Sequence, residues 1–238
     1  MPTLIVVPTF NEVENIAELV AAVRGRLPDA HVLVVDDASP DGTATIVRRL
    51  AAADAGVHVL ERPGKLGLGS AYVAGFSWGL ERGYQRFFEM DADFSHDPAA
   101  LPAFMAALDD GADVVVGSRN VAGGGVRGWG PLRHALSKGG SLYSRLVLGV
   151  GLRDLTTGFK AYSRHALEQI DVGSLRSNGY AFQIETSYRA LRRGLNVREI
   201  PIVFVDRRVG ESKMTSQEVW GAVLGVWLMR GGGRRSKP

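Results

Sequence analysis

The chain has 238 residues, 45% of them hydrophobic, and a formal charge of only +3. This suits one packed domain, and no linker, repeat or low-complexity break divides it. Cysteine is absent, which excludes a disulfide framework, a thiolate nucleophile and Cys-ligated zinc, and the dispersed basic residues show no groove-reading motif, so nucleic acid is not an expected partner.

In chain order, apolar runs and helical patterns predict strands and helices in alternation: β(3–7), α(12–25), β(31–36), α(42–54), β(57–60), α(68–81), β(85–90), α(98–108) and β(112–117). A loop with five glycines in ten residues, Val121 to Gly130, follows; it is either a plain connector or a lid over bound ligand. Beyond it the pattern predicts a helical pair to about Gly149, a strand near 158–162, helices near 164–170 and 181–193, a strand at 197–205 and a last helix from about 215. Such alternation implies a mostly parallel sheet with helices on both faces, within one domain over 1–230, and a disordered basic tail at 231–238.

Three predicted strands end in acidic residues. The run before Asp91-Ala92-Asp93 delivers two carboxylates to a strand end, where they either cap the helix suggested by Asp97-Pro98 or converge on a divalent cation that also holds a diphosphate. The strand His31 to Val35 leads into Asp36-Asp37-Ala38-Ser39-Pro40-Asp41-Gly42, in which Asp41 reads as a turn and capping residue. The first strand leads into Pro8-Thr9-Phe10-Asn11-Glu12, and Glu12 either suits the first turn of a helix or joins the same rim. In open α/β sheets ligands sit beyond the carboxyl ends of strands, so these ends can meet in one cleft.

Pro8–Glu12, Asp36–Thr43 and Met90–Pro98, in this order and spacing, resemble the family 2 glycosyltransferases with a GT-A, Rossmann-like fold for nucleotide-diphospho-sugars. Gly117-Ser118-Arg119, the stretch Gly123 to Gly130, Arg133, Ser137-Lys138-Gly139, Asp154 to Lys160, Gly179 to Gln183 and Phe204 to Lys213 narrow the resemblance to the polyprenol-phosphate mannosyltransferases. The resemblance spans Pro8 to Lys213. It implies transfer of mannose from GDP-mannose to a polyprenyl phosphate with inversion, assisted by Mg²⁺ or Mn²⁺. A sister donor such as UDP-glucose, or a subunit inactive without a partner, is the alternative.

The resemblance also implies roles. Asp93 and the Ser95 position contact the metal, with Asp91 nearby. Pro8, Phe10, Glu12, Val35, Asp37, Asp91, Ala92, Asp93, Arg119, Arg207 and Lys213 bind the donor. Arg119, Arg133 and Ser137 hold the acceptor phosphate, and Asp91, Asp93, Arg119 and Arg133 form the catalytic set. Lysine occurs only at positions 65, 138, 160, 213 and 237, so arginine supplies 23 of the 28 basic residues; guanidinium favours planar phosphate recognition, although a GC-rich genome enriches arginine equally.

Gly64 to Ser70 departs from the P-loop spacing and carries low weight as a phosphate site. His96 reads as turn chemistry. No window approaches the roughly 18 uninterrupted apolar residues of a membrane span. Ser141 to Leu152 and Val219 to Met229 come nearest, each either a packing helix or a helix at a lipid surface. The N-terminus lacks a basic region with a cleavage site, so the expectation is a cytosolic-face, membrane-associated protein, recruited by surface helices or a membrane-anchored partner, acting in glycolipid or cell-envelope synthesis.

Overall fold

The computed structural model describes residues 1–206 and 225–230, with the side chains of residues 131–133 excepted. The elements follow the alternation. They are β1 (Thr3–Thr9), α1 (Ile16–Arg26), β2 (Ala30–Asp36), α2 (Thr43–Ala53), β3 (Val57–Glu61), α3 (Leu68–Glu81), β4 (Arg86–Glu89), α4 (Leu101–Asp109), β5 (Val114–Ser118), β6 (Gly125–Arg127), α5 (Pro131–Leu148), β7 (Lys160–Ser163), α6 (Arg164–Gln169), α7 (Gly179–Arg192), β8 (Val197–Pro201) and β9 (Val203–Val205).

Seven strands form the main sheet in the order β3-β2-β1-β4-β7-β5-β8, in which only β7 runs antiparallel to its neighbours. The order reverses between β1 and β4, so the connections after those strands leave in opposite directions and open a crevice at their carboxyl ends. Because side chains alternate along a strand, the unbroken apolar run of β1 serves two cores. Leu4 and Val6 pack with Tyr72 and Phe76 of α3, whereas Ile5 and Val7 pack with Ile16 and Leu19 of α1. Helix α3 lies very close to the sheet. A Cβ at Gly75 would stand 2.4 Å from Val6 Cγ1, and one at Gly79 would stand 2.6 Å from Leu4 Cδ2.

Two departures from the sequence expectation have physical causes. The glycine-rich stretch contains β6, which pairs in parallel with β9 as a two-stranded ribbon; the predicted strand at 197–205 therefore divides after Pro201 and serves two sheets. Close approach makes this possible, since a Cβ at Gly124 would lie 2.4 Å from the Ser118 carbonyl oxygen. The expected helical pair is one helix, α5, which starts on Pro131 at its first position, runs through Gly139 and Gly140 and ends at the left-handed Gly149. The predicted last helix falls mostly outside the described residues, of which 225–230 are helical, and the 231–238 tail lies wholly outside them.

Candidate active site

A cleft of about 670 Å³ runs along the carboxyl edge of the main sheet. It brings together Pro8, Phe10 and Glu12 from beyond β1, Asp37 from beyond β2, Asp91, Ala92, Asp93 and Ser95 from beyond β4, and Arg119 from beyond β5. Three of the connecting loops hold a non-glycine residue in the left-handed region: Asn11 (φ 60°), Ala38 (φ 54°) and Phe94 (φ 60°). Such conformations cost on the order of 1–3 kcal/mol each and persist where surrounding contacts enforce them. Here each shapes one edge of the same crevice.

At the β2 end the carboxylates are held in place by the protein's own donors. Asp36 accepts bonds from the Thr9 hydroxyl at 2.8 Å, the Ser39 backbone N–H at 2.9 Å and the Ser39 hydroxyl at 2.6 Å. Asp37 is ion-paired with Arg62 and accepts the Leu66 N–H at 3.1 Å, which draws residues 62–67 against the cleft. Lys65 consequently stands 4.6 Å above the Phe10 ring. Asp41 is a turn residue, accepting from Thr43 N–H and Oγ1 and from Val13 N–H.

The β4 end is built differently. His96 is buried, stacked on Phe159 with centroids 4.9 Å apart, and its Nδ1 accepts the Asp91 N–H at 3.1 Å. Burial lowers the His96 pKa against the opposing pull of Asp91 and Asp93, so the ring stays neutral with its proton on Nε2, 3.9 Å from Asp91 Oδ2. Tyr72 Oη donates to Asp91 Oδ1 at 3.2 Å. Asp93 Oδ1 accepts the Ser95 N–H at 3.0 Å, which folds Asp93 and Ser95 back on each other. Ser95 is 1% exposed and its hydroxyl has no hydrogen-bond partner among the described residues.

That orphaned hydroxyl tests the fit of a cation. A buried polar group without a partner is costly, and two carboxylates with a hydroxyl offer the oxygen-only donors that Mg²⁺ or Mn²⁺ takes. No group of three or more His, Cys, Asp or Glu residues capable of holding a metal occurs among the described residues, so the set suits an ion completed by water and a ligand's phosphates. The residues present fit the group.

At the far end, Arg119 is buried and held by an ion pair. Its Nε and Nη2 each donate to Asp154 at 2.7 Å, its backbone N–H donates to the same carboxylate at 3.0 Å, and Nη2 also reaches Thr156 Oγ1 at 2.8 Å. Burial works against both charges, and the pairing more than offsets it: the Asp154 carboxyl lies below the usual range and the Arg119 guanidinium above its own. Arg119 also lines the cleft.

Not every expected residue reaches the cleft. Val35 is fully buried beneath it, facing Gly75 of α3, because it alternates with Asp36 along the strand. Ser137 is on α5 and is not among the side chains that line the cleft. Arg207, Lys213 and the Arg133 side chain lie outside the described residues. Conversely, Lys65, Trp129, Thr156, Gly158, Tyr180 and Gln183 line the cleft without having been singled out. All but Lys65 lie in the stretches that carried the resemblance; their exposure to a ligand depends on tertiary placement.

The family model "Glycosyl transferase family 2" matches residues 4–171. Over 232 residues the chain is 49% identical to polyprenol monophosphomannose synthase of Mycolicibacterium smegmatis, across 96% of this chain and 88% of that protein. Over 226 residues it is 47% identical to undecaprenyl-phosphate mannosyltransferase of Micrococcus luteus, across 95% and 93%. Among solved structures, glucosyl-3-phosphoglycerate synthase of Mycobacterium tuberculosis in complex with Mn²⁺, UDP and phosphoglyceric acid gives a TM-score of 0.72 at 17% identity, over 97% of this chain and 78% of that one. A mannosyltransferase of Pyrobaculum calidifontis in complex with GDP-Man and Mn²⁺ gives 0.56 at 16% identity, over 99% and 76%. These likenesses show the GT-A fold.

Proposed function

The chain belongs to glycosyltransferase family 2 and is a glycosyltransferase, and from that premise we propose that it transfers mannose from GDP-mannose to a polyprenyl phosphate, with inversion at the anomeric carbon. The observation that carries this reading is near-full-length identity of 49% and 47% to two relatives whose names both join mannose to a polyprenyl phosphate.

The cleft is suited to such a transfer. Phe10 offers a ring face to a nucleoside base, and Glu12 and Asp37 stand where ribose or base hydrogens can be accepted. Mg²⁺ or Mn²⁺, held by Asp93 and Ser95 with Asp91 beside it, would act as a Lewis acid on the leaving diphosphate. Arg119, fixed by Asp154 at the edge of the cleft, would offer an incoming phosphate a charge-assisted bond.

The site also suits an acceptor that needs no deprotonation. The His96 lone pair is already spent on the Asp91 N–H, so His96 is no general base. A phosphate is ionised at neutral pH and attacks directly, with orientation and fixed charge supplying the catalysis.

The acceptor's chain needs a lipid surface. No described helix is long and apolar enough to cross a membrane. Leu142 and Leu146 are exposed one turn apart on α5, Trp227 and Leu228 are exposed on residues 225–230, and Arg230 Nη1 ties the two segments by donating to the Val147 carbonyl at 2.8 Å. That apolar surface is the proposed membrane contact.

The test incubates purified protein with a short polyprenyl phosphate, Mg²⁺ or Mn²⁺, and labelled GDP-mannose, UDP-glucose or UDP-GlcNAc in separate reactions, following label into the organic phase. Transfer from GDP-mannose alone, lost on chelation, is expected. Transfer from another donor overturns the sugar assignment and leaves the acceptor. Absence of transfer from all three, restored by membranes, makes the chain a partner-dependent subunit.

A further inference from the structure

The strand order arranges the cleft residues in a line. Asp37 follows β2, Phe10 and Glu12 follow β1, Asp91 to Ser95 follow β4, Gly158 precedes β7, and Arg119 follows β5. Four strand spacings separate the ends of this row, about 19 Å. On the proposed reading, the nucleoside occupies the β2–β1 end, the diphosphate the β4 position and the acceptor phosphate the β5 position. The transferred sugar then falls over the start of β7.

The floor there is Gly158. A Cβ at that residue would lie 3.4 Å from Gln183 Nε2, 3.5 Å from His96 Cε1 and 3.8 Å from Asp91 Oδ1, so glycine keeps open a space bordered by an amide and a carboxylate. Gln183, on the second turn of α7, is 3% exposed. Its Oε1 and backbone carbonyl both accept from Lys160 Nζ, at 2.8 and 2.6 Å, and Lys160 is itself fully buried, with its third bond to Thr186 Oγ1 at 3.0 Å. An ammonium only donates, so it selects the amide orientation in which Oε1 faces Lys160 and the NH₂ group faces away. Among the described residues Nε2 makes no complete hydrogen bond, although it contributes to holding the buried Glu89 carboxyl, whose Oε2 also lacks one there. An NH₂ group carries two hydrogens, so whatever Glu89 takes, one is left on the side of Gly158.

We propose that Gln183 Nε2 donates a hydrogen bond to a hydroxyl of the transferred sugar, and that Lys160 is the positioning residue that makes the amide a donor there. This rests on the transferase reading above. Beside Asp91, an acceptor, the amide completes a donor and acceptor pair, the arrangement that distinguishes one hydroxyl pattern from another; a buried donor left without its hydroxyl penalises the wrong sugar.

The test uses the donor that the wild-type protein transfers, together with its singly deoxygenated sugar analogues, on wild-type protein, Gln183→Met, Gln183→Glu and Lys160→Met. One deoxy donor is expected to reduce kcat/KM of wild type by about tenfold and to cost Gln183→Met nothing further, while GDP binds both with the same Kd. Gln183→Glu keeps the shape and the Lys160 contact and is expected to lose the same discrimination, so the reading survives a Met variant that fails to fold. Lys160→Met is expected to lose it too, with its GDP Kd intact, which a general loosening of the fold would not leave. If every deoxy donor penalises the variants as much as wild type, the proposal is overturned while the transferase reading stands. Wild-type protein that transfers from no donor, with or without membranes, overturns both.

Discussion

The ends of β2 and β4 carry similar acidic text, Asp36-Asp37 and Asp91-Ala92-Asp93, and the fold uses them in opposite ways. At the β2 end, five protein donors close on two carboxylates: Thr9, two from Ser39, Arg62 and Leu66. At the β4 end, Ser95 folds onto Asp93 yet keeps a buried hydroxyl without a partner among the described residues, and Asp91 borders the cleft beside Gly158. Counting carboxylates at a strand end therefore does not identify a ligand site. Whether the chain already satisfies its own polar groups separates the two roles: an unsatisfied buried hydroxyl marks where a cation fits, whereas the satisfied Asp37 is held in place to line the nucleoside end of the cleft.

The largest effect that sharpens this contrast is expected at Asp93. Asp93→Ala should reduce sugar transfer by about 10³-fold or more, since a metal's charge stabilisation is worth several kcal/mol. Transfer rates equal to wild type would remove Asp93 from the metal site. The converse is expected at β2. Asp36→Ala orphans three buried or half-buried donors and should lower stability by about 3 kcal/mol in urea titration, with kcat of the folded protein near wild type. A stable variant with lost activity would invert the comparison.

Much of this contrast was hidden in the sequence. The strands were legible because runs such as Leu4 to Val7 and Val32 to Val35 must be apolar at every position when both faces are covered. The β6–β9 ribbon was not, because three-residue strands carry no periodicity, and its pairing joins Gly125–Arg127 to Val203–Val205 far along the chain, with Gly124 packed against the Ser118 carbonyl. At the site, Asp91 and Asp93 were visible as types at a strand end. Asp154, which fixes Arg119 across 35 residues, and Lys160, which fixes Gln183 across 23, were visible only as letters within a resembling stretch. Burial decides those roles, and burial of a lone charged residue is what sequence patterning predicts least well.

Lys160 provides the next effect in size. Burial pushes its ammonium down to about 8 from 10.5, against the pull of Glu89. Between those values the unfolded chain binds a proton that the folded chain has released, so this contribution to stability rises as pH rises through that window. From pH 7.5 to 9.5 wild type should gain about 2 kcal/mol relative to Lys160→Met, read from urea midpoints at each pH. Parallel pH profiles for the two proteins would mean that Lys160 keeps its proton throughout.

The smallest effect discriminates most finely between the two acidic ends. A hydroxyl bonded within the protein, like that of Ser39, is expected to cost about 1 kcal/mol when deleted. The Ser95 hydroxyl has no partner to lose among the described residues, so Ser95→Ala should leave the ligand-free protein as stable as wild type or slightly more so, because a buried orphan is removed. If that oxygen contacts the cation directly or through a water, the same substitution should weaken Mn²⁺ binding by about tenfold, measured by titration in the presence of GDP. The two readouts thus move in opposite directions for a ligand and together for a structural group. A destabilised apo-protein with unchanged Mn²⁺ affinity would assign Ser95 to the turn and leave the cation to Asp91, Asp93 and the diphosphate.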